Sequence, residues 1–146
     1  MDVTLRPATI EDLEPLFAIH RAAMRGYVEL TYGPWNEPWQ AAFFRDHFDT
    51  SVRQVILAHG EVAGFLDLIP RDDDLYLSEL VIDPVCQGRG IGTHLLRETQ
   101  ARAAAKGMPV RLQVLRVNPA RSLYERLGFV TNGETETHHL MEWTAQ

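Results

Sequence analysis

The segment Gln87-Gly88-Arg89-Gly90-Ile91-Gly92 is the most informative part of the sequence, because it places a run of glycines between an apolar strand pattern and a helical pattern. Glycine lacks a Cβ atom, so such a turn can curl tightly and direct several backbone N–H groups at one anion. The helix that begins near Thr93 adds its unpaired amides and the positive end of its dipole. The stretch therefore predicts a phosphate or pyrophosphate site, to which Arg89 can add a charged hydrogen bond.

The two common nucleotide-binding motifs are both absent. A P-loop needs a lysine after its last glycine, and none follows here. A dinucleotide-binding turn has the spacing G-x-G-x-x-G and an acidic residue about 20 positions further on. This turn has the spacing G-x-G-x-G, and no Asp or Glu lies between Glu98 and Glu125. A glycine-rich helix start without a ligand stays open, although glycine is costly in a helix.

The pattern on either side of the turn predicts a mixed α/β fold. Alternation of period two indicates strands, and apolar residues at helical spacing indicate helices. We expect the order β-α-α-β-β-β-α-β-α-β-β in one domain over residues 1–146, with a mostly antiparallel central sheet flanked by helices. The expected helices run from Thr9 to about Arg25, from Trp39, from Thr93 to Lys106 and from Pro119 to Leu127, with a loop over Gly26–Pro38.

Composition excludes several classes of function. The chain has 146 residues, 45% of them apolar and 23% charged, which is a globular balance rather than a disordered one. Its net charge of −6 disfavours a nucleic-acid or anionic-membrane binder, and no apolar run approaches the length of a membrane span. One cysteine, Cys86, and no signal-peptide pattern favour a cytoplasmic protein.

Two further motifs flank the turn, one on each side. Val81-Ile82-Asp83-Pro84 precedes the glycines, and Asn118-Pro119-Ala120 leads to Leu123-Tyr124-Glu125-Arg126-Leu127-Gly128-Phe129. Together with Gln87-x-x-Gly90-x-Gly92, these motifs resemble the Gcn5-related N-acetyltransferase (GNAT) superfamily. The resemblance implies that the protein binds acetyl-coenzyme A and passes its acetyl group to an amine, without a metal ion. Homodimers are common in that family.

The resemblance also implies roles for individual residues. The strand before the turn bonds the pantetheine arm and the acetyl oxygen, and the turn holds the pyrophosphate. Asn118 matches a cofactor contact, although its spacing from Tyr124 is one residue shorter than in many relatives. The implied cofactor-binding residues are Leu80, Val81, Ile82, Gln87, Gly88, Arg89, Gly90, Ile91, Gly92, Thr93 and Asn118.

Catalysis needs an acid for the leaving thiolate and, in many relatives, a base for the amine. Tyr124 matches the family's tyrosine acid, and packing beside Leu123 is its alternative role. The position of the glutamate that some relatives use holds Gln113, which cannot accept a proton. Glu79 is therefore the candidate base, with Glu29 as a second candidate. A cross-strand pairing of Glu79 with an arginine, or a reaction without a dedicated base, stays open.

The region between the first two helices forms one wall of the acceptor site in the family. Here it contains Tyr27, Glu29 and Trp35, which could hold an amine by cation–π and charge contacts. A plain packing loop is the alternative. The acceptor itself, a small molecule or a peptide, is not indicated by the sequence. A non-catalytic acyl-coenzyme A sensor on the same fold is the second functional hypothesis, because the family glutamate is absent at Gln113.

Other charged or reactive groups receive simpler interpretations. The basic stretch from Arg102 to Arg121 could face an anion or form solvated faces. Asp72-Asp73-Asp74 lacks calcium-loop spacing and is expected to be a solvated turn. His138 and His139 should point to opposite faces of a strand, which disfavours joint metal binding. Cys86 has no evident histidine partner, so a covalent acyl-carrier role is disfavoured.

Overall fold

The computed structural model describes residues 1–146, and its elements follow the predicted order. The strands are β1 Val3–Pro7, β2 Arg53–Ala58, β3 Glu61–Pro70, β4 Leu75–Ile82, β5 Val110–Leu115, β6 Val130–Glu134 and β7 His138–Trp143. The helices are α1 Leu13–Tyr32, α2 Glu37–Asp46, α3 Ile91–Ala105 and α4 Ala120–Arg126, with short 3-10 helices at Ile10–Asp12 and Pro84–Cys86. None of the helices is both long and apolar enough to cross a membrane.

The strands form one sheet in the order β1-β2-β3-β4-β5-β7-β6. Strands β4 and β5 are parallel, whereas the β1–β2, β2–β3, β5–β7 and β6–β7 pairs are antiparallel. The parallel pair needs a crossover, and α3 lies between β4 and β5 in the chain. The prediction of a mixed, mostly antiparallel α/β fold is confirmed.

The first helix is longer than the sequence analysis predicted. It continues through Gly26 to Tyr32, because a glycine inside a helix costs only about 1 kcal/mol relative to alanine. Gly33, with φ at 98°, ends the helix and donates its N–H to the carbonyl of Glu29 at 3.0 Å. The predicted loop over Gly26–Pro38 therefore shrinks to residues 33–36. The Asn36 side chain then caps α2 by accepting from the N–H of Trp39 at 3.0 Å.

The chain divides into two compact units, residues 1–67 with 79–91 and residues 68–78 with 92–146. In the first unit, apolar faces of α1 and α2 bury Leu16, Phe17 and Phe44 in one cluster with Phe65 of β3. In the second unit the most buried side chains lie on β4, α3, β5 and β7 and include Leu75, Leu96, Val110 and Met141.

Strand β4 changes its surroundings half-way along its length. Its parallel ladder with β5 covers only Leu75, Tyr76 and Leu77, whereas β5 continues to Leu115 in its pairing with β7. Residues 78–82 of β4 thus extend past that ladder. On the β3 side, a Cβ atom at Gly64 would lie 2.0 Å from the carbonyl oxygen of Val81. Only glycine allows β3 to approach this half of β4 so closely.

Candidate functional site

The glycine-rich turn has the conformation that its composition predicts. Gly88 and Gly90 have φ values of 78° and 82°, which residues with a side chain rarely adopt. The helix α3 begins directly after them at Ile91, two positions before the predicted start. The amides of residues 88–90 make no backbone hydrogen bond within the chain. The turn therefore presents backbone donors beside a helix N-terminus, which is the donor set that a phosphate group requires.

Two polar side chains hold this turn to the end of β4. The Gln87 amide donates to the carbonyl oxygen of Ile82 at 3.0 Å, and Asp83 accepts from the N–H of Val85 at 3.2 Å. The N–H of Asp83 also donates to the carbonyl oxygen of Ala63 at 2.7 Å. Gln87, predicted as a cofactor contact, therefore uses its side-chain amide to fix the turn. Arg89 is exposed, whereas Ile91 is buried.

The third glycine has a packing role. A Cβ atom at Gly92 would lie 3.3 Å from Cδ2 of Leu123 on α4. That distance is tighter than ordinary van der Waals contact, so the Leu123 side chain would have to shift by a few tenths of an ångström to admit a side chain at this position. The glycines at positions 88 and 90 are favoured by backbone conformation, and the one at position 92 by its contact with Leu123.

Tyr124 lies in the middle of α4 and is 7% exposed. Its ring packs edge-on against Phe129, with the ring centroids 5.7 Å apart. Upstream, Asn118 accepts a hydrogen bond from the N–H of Ala120 at 2.9 Å and so caps the start of the same helix. The side-chain oxygen of Asn118 therefore orders the motif that carries Tyr124.

Glu79 lies on the same face of β4 as the buried Leu77 and Val81, as predicted, and is itself partly buried. The pKa of Glu79 is raised to about 7, mainly by burial and in addition by the charge of Asp67, while the charge of Arg53 opposes the shift. The predicted alternative, an ion pair with an arginine, is not formed. Arg53 instead forms two hydrogen bonds with Asp67, at 2.9 and 2.8 Å.

The predicted acceptor-site residues are used in joining α1 to α2. Tyr27 and Glu29 lie on α1 rather than in a loop. Glu29 accepts from the backbone N–H of Trp35 at 3.3 Å and pairs with Arg25 at 3.5 Å. Trp35 is buried in the core cluster and donates its ring N–H to Glu37 at 2.7 Å. The packing alternative therefore describes Trp35, whereas the Glu29 side chain is 40% exposed.

Sequence reasoning missed the charged group beside Glu79. Arg53 is 6% exposed, and its guanidinium carbon lies 4.2 Å from the ring centre of Phe65. His20 stands among the same aromatic rings, and burial together with the charge of Arg53 lowers its pKa to about 4. The available signal was the presence of single charges, Arg53 and Asp67, in otherwise apolar strand patterns.

The basic stretch is largely neutralised by the protein's own carboxylates. Arg111 pairs with Asp74 and Glu142, Arg116 pairs with Glu134, and Arg121 pairs with Glu125. Three of the five basic residues of the stretch therefore form ion pairs within the protein. The prediction of a solvated acidic turn is wrong for its last residue, because Asp74 is 2% exposed.

No group of three or more His, Cys, Asp or Glu residues is arranged to hold a metal ion.

Comparison with known proteins identifies the family. Solved structures with this fold include PaiA N-acetyltransferase from Thermoplasma acidophilum in complex with coenzyme A (24% identity, 99% and 100% of the two chains covered, TM-score 0.76). Another is an acetyltransferase from Thermus thermophilus (21% identity, 99% and 98% covered, TM-score 0.73).

A sequence relative is mycothiol acetyltransferase from Nocardia farcinica, 36% identical over 87 residues. That match covers 58% of this chain and 28% of the relative, so the chain spans less than a third of the relative's length. The model of the acetyltransferase (GNAT) family matches residues 16–129, and the chain therefore belongs to that family.

Proposed function

We propose that this protein is an acetyl-coenzyme A-dependent N-acetyltransferase that passes the acetyl group to a primary amine by direct attack. The observation that carries the proposal is the turn from Gln87 to Gly92, in which two glycines with positive φ lead straight into α3. Membership in the acetyltransferase family supports the reaction class. We also expect a cytoplasmic enzyme, and a homodimer is open to test by light scattering.

The donor side of the site is expected to use backbone rather than side-chain groups. The amides of residues 88–93 would bond the pyrophosphate, because they are grouped at a helix N-terminus and a Cβ atom at Gly88 would meet nothing within 4 Å. The backbone of Leu80, Val81 and Ile82 would bond the pantetheine arm. These residues are suited to it because they lie past the β4–β5 ladder. Asn118 would act by ordering α4.

When bound, acetyl-coenzyme A supplies a thioester whose carbonyl carbon an amine can attack. A backbone N–H of Val81 or Ile82 would stabilise the negative charge that develops on the carbonyl oxygen. Glu79 would accept the proton of the incoming ammonium group, because its pKa of about 7 leaves it partly ionised at neutral pH. Tyr124 would protonate the departing thiolate, since unperturbed tyrosine and thiol pKa values differ by less than about 2 units.

A non-catalytic acyl-coenzyme A sensor is the second candidate. One observation favours it: the position of the base in some relatives holds Gln113, which is exposed on β5 and has no acid–base function. A sensor would bind the donor without releasing free thiol in the presence of any amine. Turnover with an amine therefore separates the two functions.

The test has a binding part and a turnover part. Isothermal titration with acetyl-coenzyme A should show binding, and an absence of heat at millimolar ligand would contradict both candidates. Thiol release is then measured against a panel of amines: peptide N-termini, lysine side chains, polyamines and aminoglycosides. Tyr124→Phe should bind acetyl-coenzyme A like the wild type and release thiol more slowly. Tight binding with no thiol release on the whole panel would favour the sensor.

A further inference from the structure

The Arg53 side chain is buried within the first unit of the protein. Its Nε and Nη2 atoms donate to the two carboxylate oxygens of Asp67, and the residues are cross-strand partners on β2 and β3. The remaining nitrogen, Nη1, is buried and has no hydrogen-bond partner. The guanidinium carbon lies 4.2, 4.9 and 5.3 Å from the ring centres of Phe65, Phe44 and Phe48.

This arrangement decides which carboxylate receives the cation. Val55, Phe65 and Val81 pack in one core cluster, and Arg53, Asp67 and Glu79 lie two positions away from them on β2, β3 and β4, so the three charged residues share one face of the sheet. The ion pair on this face joins Arg53 to Asp67, and no cation lies within ion-pair distance of Glu79. A guanidinium can form a two-pronged contact with only one carboxylate at a time on a given edge. Asp67 occupies that edge, and aromatic rings cover the guanidinium. Glu79 is therefore left partly buried without a counter-ion.

The charged groups around Glu79 come from two strands. Asp67 belongs to β3 and Arg53 to β2, and these are the charges that act on the pKa of Glu79. His20 on α1 is adjacent to Arg53, but its pKa of about 4 keeps it neutral in the range where amines are acetylated. The electrostatic part of the pKa shift of Glu79 thus depends on one anion and one cation that bind each other.

We propose that Asp67 is a positioning residue for Glu79: by engaging Arg53 with both oxygens, it withholds the cation from Glu79 and leaves that carboxyl group without a counter-ion. The inference deepens the proposed function, because it rests on Glu79 acting as the base. If Arg53 were released toward Glu79, the resulting ion pair would stabilise the carboxylate and weaken it as a proton acceptor.

The test compares Asp67→Asn, Arg53→Gln and the double variant with the wild type. The titration of Glu79 is followed by carboxyl carbon NMR, with Glu79→Gln used to assign the signal, and the acid limb of kcat/KM is measured in parallel. Asp67→Asn should move both midpoints down by about 1–3 pH units, the size of shift that a nearby opposite charge produces. Arg53→Gln should move them up, and the double variant should return toward the wild type.

The opposite signs distinguish this role from a merely structural one. Loss of packing would lower the rate in every variant without moving the midpoints in opposite directions. Asp46→Asn is the matched control, since it removes the same charge from an exposed side chain on α2 and should leave the midpoints unchanged. Should Asp67→Asn fail to fold, Arg53→Gln and the double variant still test the prediction.

The outcomes separate this inference from the proposed function. A Glu79 signal that titrates alike in the wild type and all three variants would overturn the inference, whatever the rates. If the titration midpoint of Glu79 shifts but the pH midpoint of kcat/KM does not, the effect of Asp67 on Glu79 is supported. The same result refutes Glu79 as the base. Parallel shifts of both would support both statements.

Discussion

Two contrasting carboxylates lie along strand β4, one directly before its first residue and one in its second half. Asp74, next to the first residue, is 2% exposed and receives Arg71 at 2.7 and 2.6 Å and Arg111 at 3.1 Å. These arginines hold the pKa of Asp74 below its usual range. Glu79, in the second half, has no ion pair, and its pKa is raised to about 7. The first half of the strand is paired with β5, and the second half extends past that ladder.

The comparison shows that burial alone does not determine what a carboxylate does. Both groups are withdrawn from water, but only Asp74 is supplied with cations. A buried carboxylate with two guanidinium partners remains ionised and holds segments together. A buried carboxylate whose potential partner is engaged elsewhere can gain and lose a proton near neutral pH. The presence of arginine partners thus distinguishes Asp74, a structural carboxylate, from Glu79, a candidate catalytic carboxylate.

The largest effect on stability is expected at Asp74, the carboxylate with two arginine partners. Asp74→Asn removes the charge that two partly exposed arginines share, and we expect a loss of about 3 kcal/mol, because the buried Asp74 carboxylate accepts three charged hydrogen bonds from them. Urea unfolding at pH 7 measures it. The exposed neighbour offers a control, since Asp73→Asn should change stability by less than about 0.5 kcal/mol. Equal losses in the two variants would mean that the arginines do not stabilise the fold through Asp74.

The next effect concerns the rate. Glu79→Gln should lower kcat/KM at pH 7 by about 10²-fold, the lower range for loss of a general base. The loss should be smaller at pH 9, where more of the amine is already deprotonated in solution. The pH dependence of thiol release measures both. A loss of the same size at the two pH values would exclude Glu79 as the base, and exposed Glu61→Gln should leave the rate unchanged.

A third prediction concerns the second half of β4 itself. Gly64→Ala places a Cβ atom 2.0 Å from the carbonyl oxygen of Val81, so β3 and β4 must move apart. We expect a loss of about 2–3 kcal/mol in unfolding free energy, as in overpacked cores. Gly26→Ala in α1 meets no atom within 4 Å and should gain about 0.5–1 kcal/mol. A tolerated Gly64→Ala would show that the strands can separate at little cost.

The last prediction concerns the pH dependence of stability caused by Glu79. Its pKa is raised from the ordinary value of 4.5 to about 7, so folding favours the protonated form. This contribution to stability is complete below pH 4.5 and is lost as the pH rises to 7. Relative to Glu79→Gln, the wild type should therefore lose up to about 3 kcal/mol across that window, since one pKa unit corresponds to about 1.4 kcal/mol. Thermal unfolding at a series of pH values measures it, and a constant difference would contradict the raised pKa.

The sequence allowed the turn and the element order to be predicted because both depend on local properties. Glycine spacing determines which residues can adopt positive φ, and hydrophobic periodicity distinguishes strands from helices. The same local reasoning misjudged Gly26 as the start of a loop, since a glycine in a helix is a small cost that packing of Met24 and Val28 outweighs. It also predicted that Asp74 is solvated, whereas the fold buries it against Arg71 and Arg111.

The roles of Glu29, Trp35 and Glu79 show which features of the site the sequence could not predict. Residue type and position in the chain make all three of them candidates. The structure shows that Glu29 and Trp35 join α1 to α2, whereas Glu79 lies without an ion pair beside the bound charges of Arg53 and Asp67. Residues 53, 67 and 79 are brought together by strand pairing, which residue spacing along the chain does not report.

The family motifs, the conformation of the turn at Gly88 and Gly90, and the order of strands and helices can all be predicted from the residues alone. Those features depend on steric freedom and on patterns that repeat over a few residues. Which carboxylate is neutralised by arginines, and which is left able to titrate, depends instead on the folded arrangement of the strands. The reason is that a pKa depends on the distance to charges and on exclusion from water, and both are set by residues that are remote in sequence.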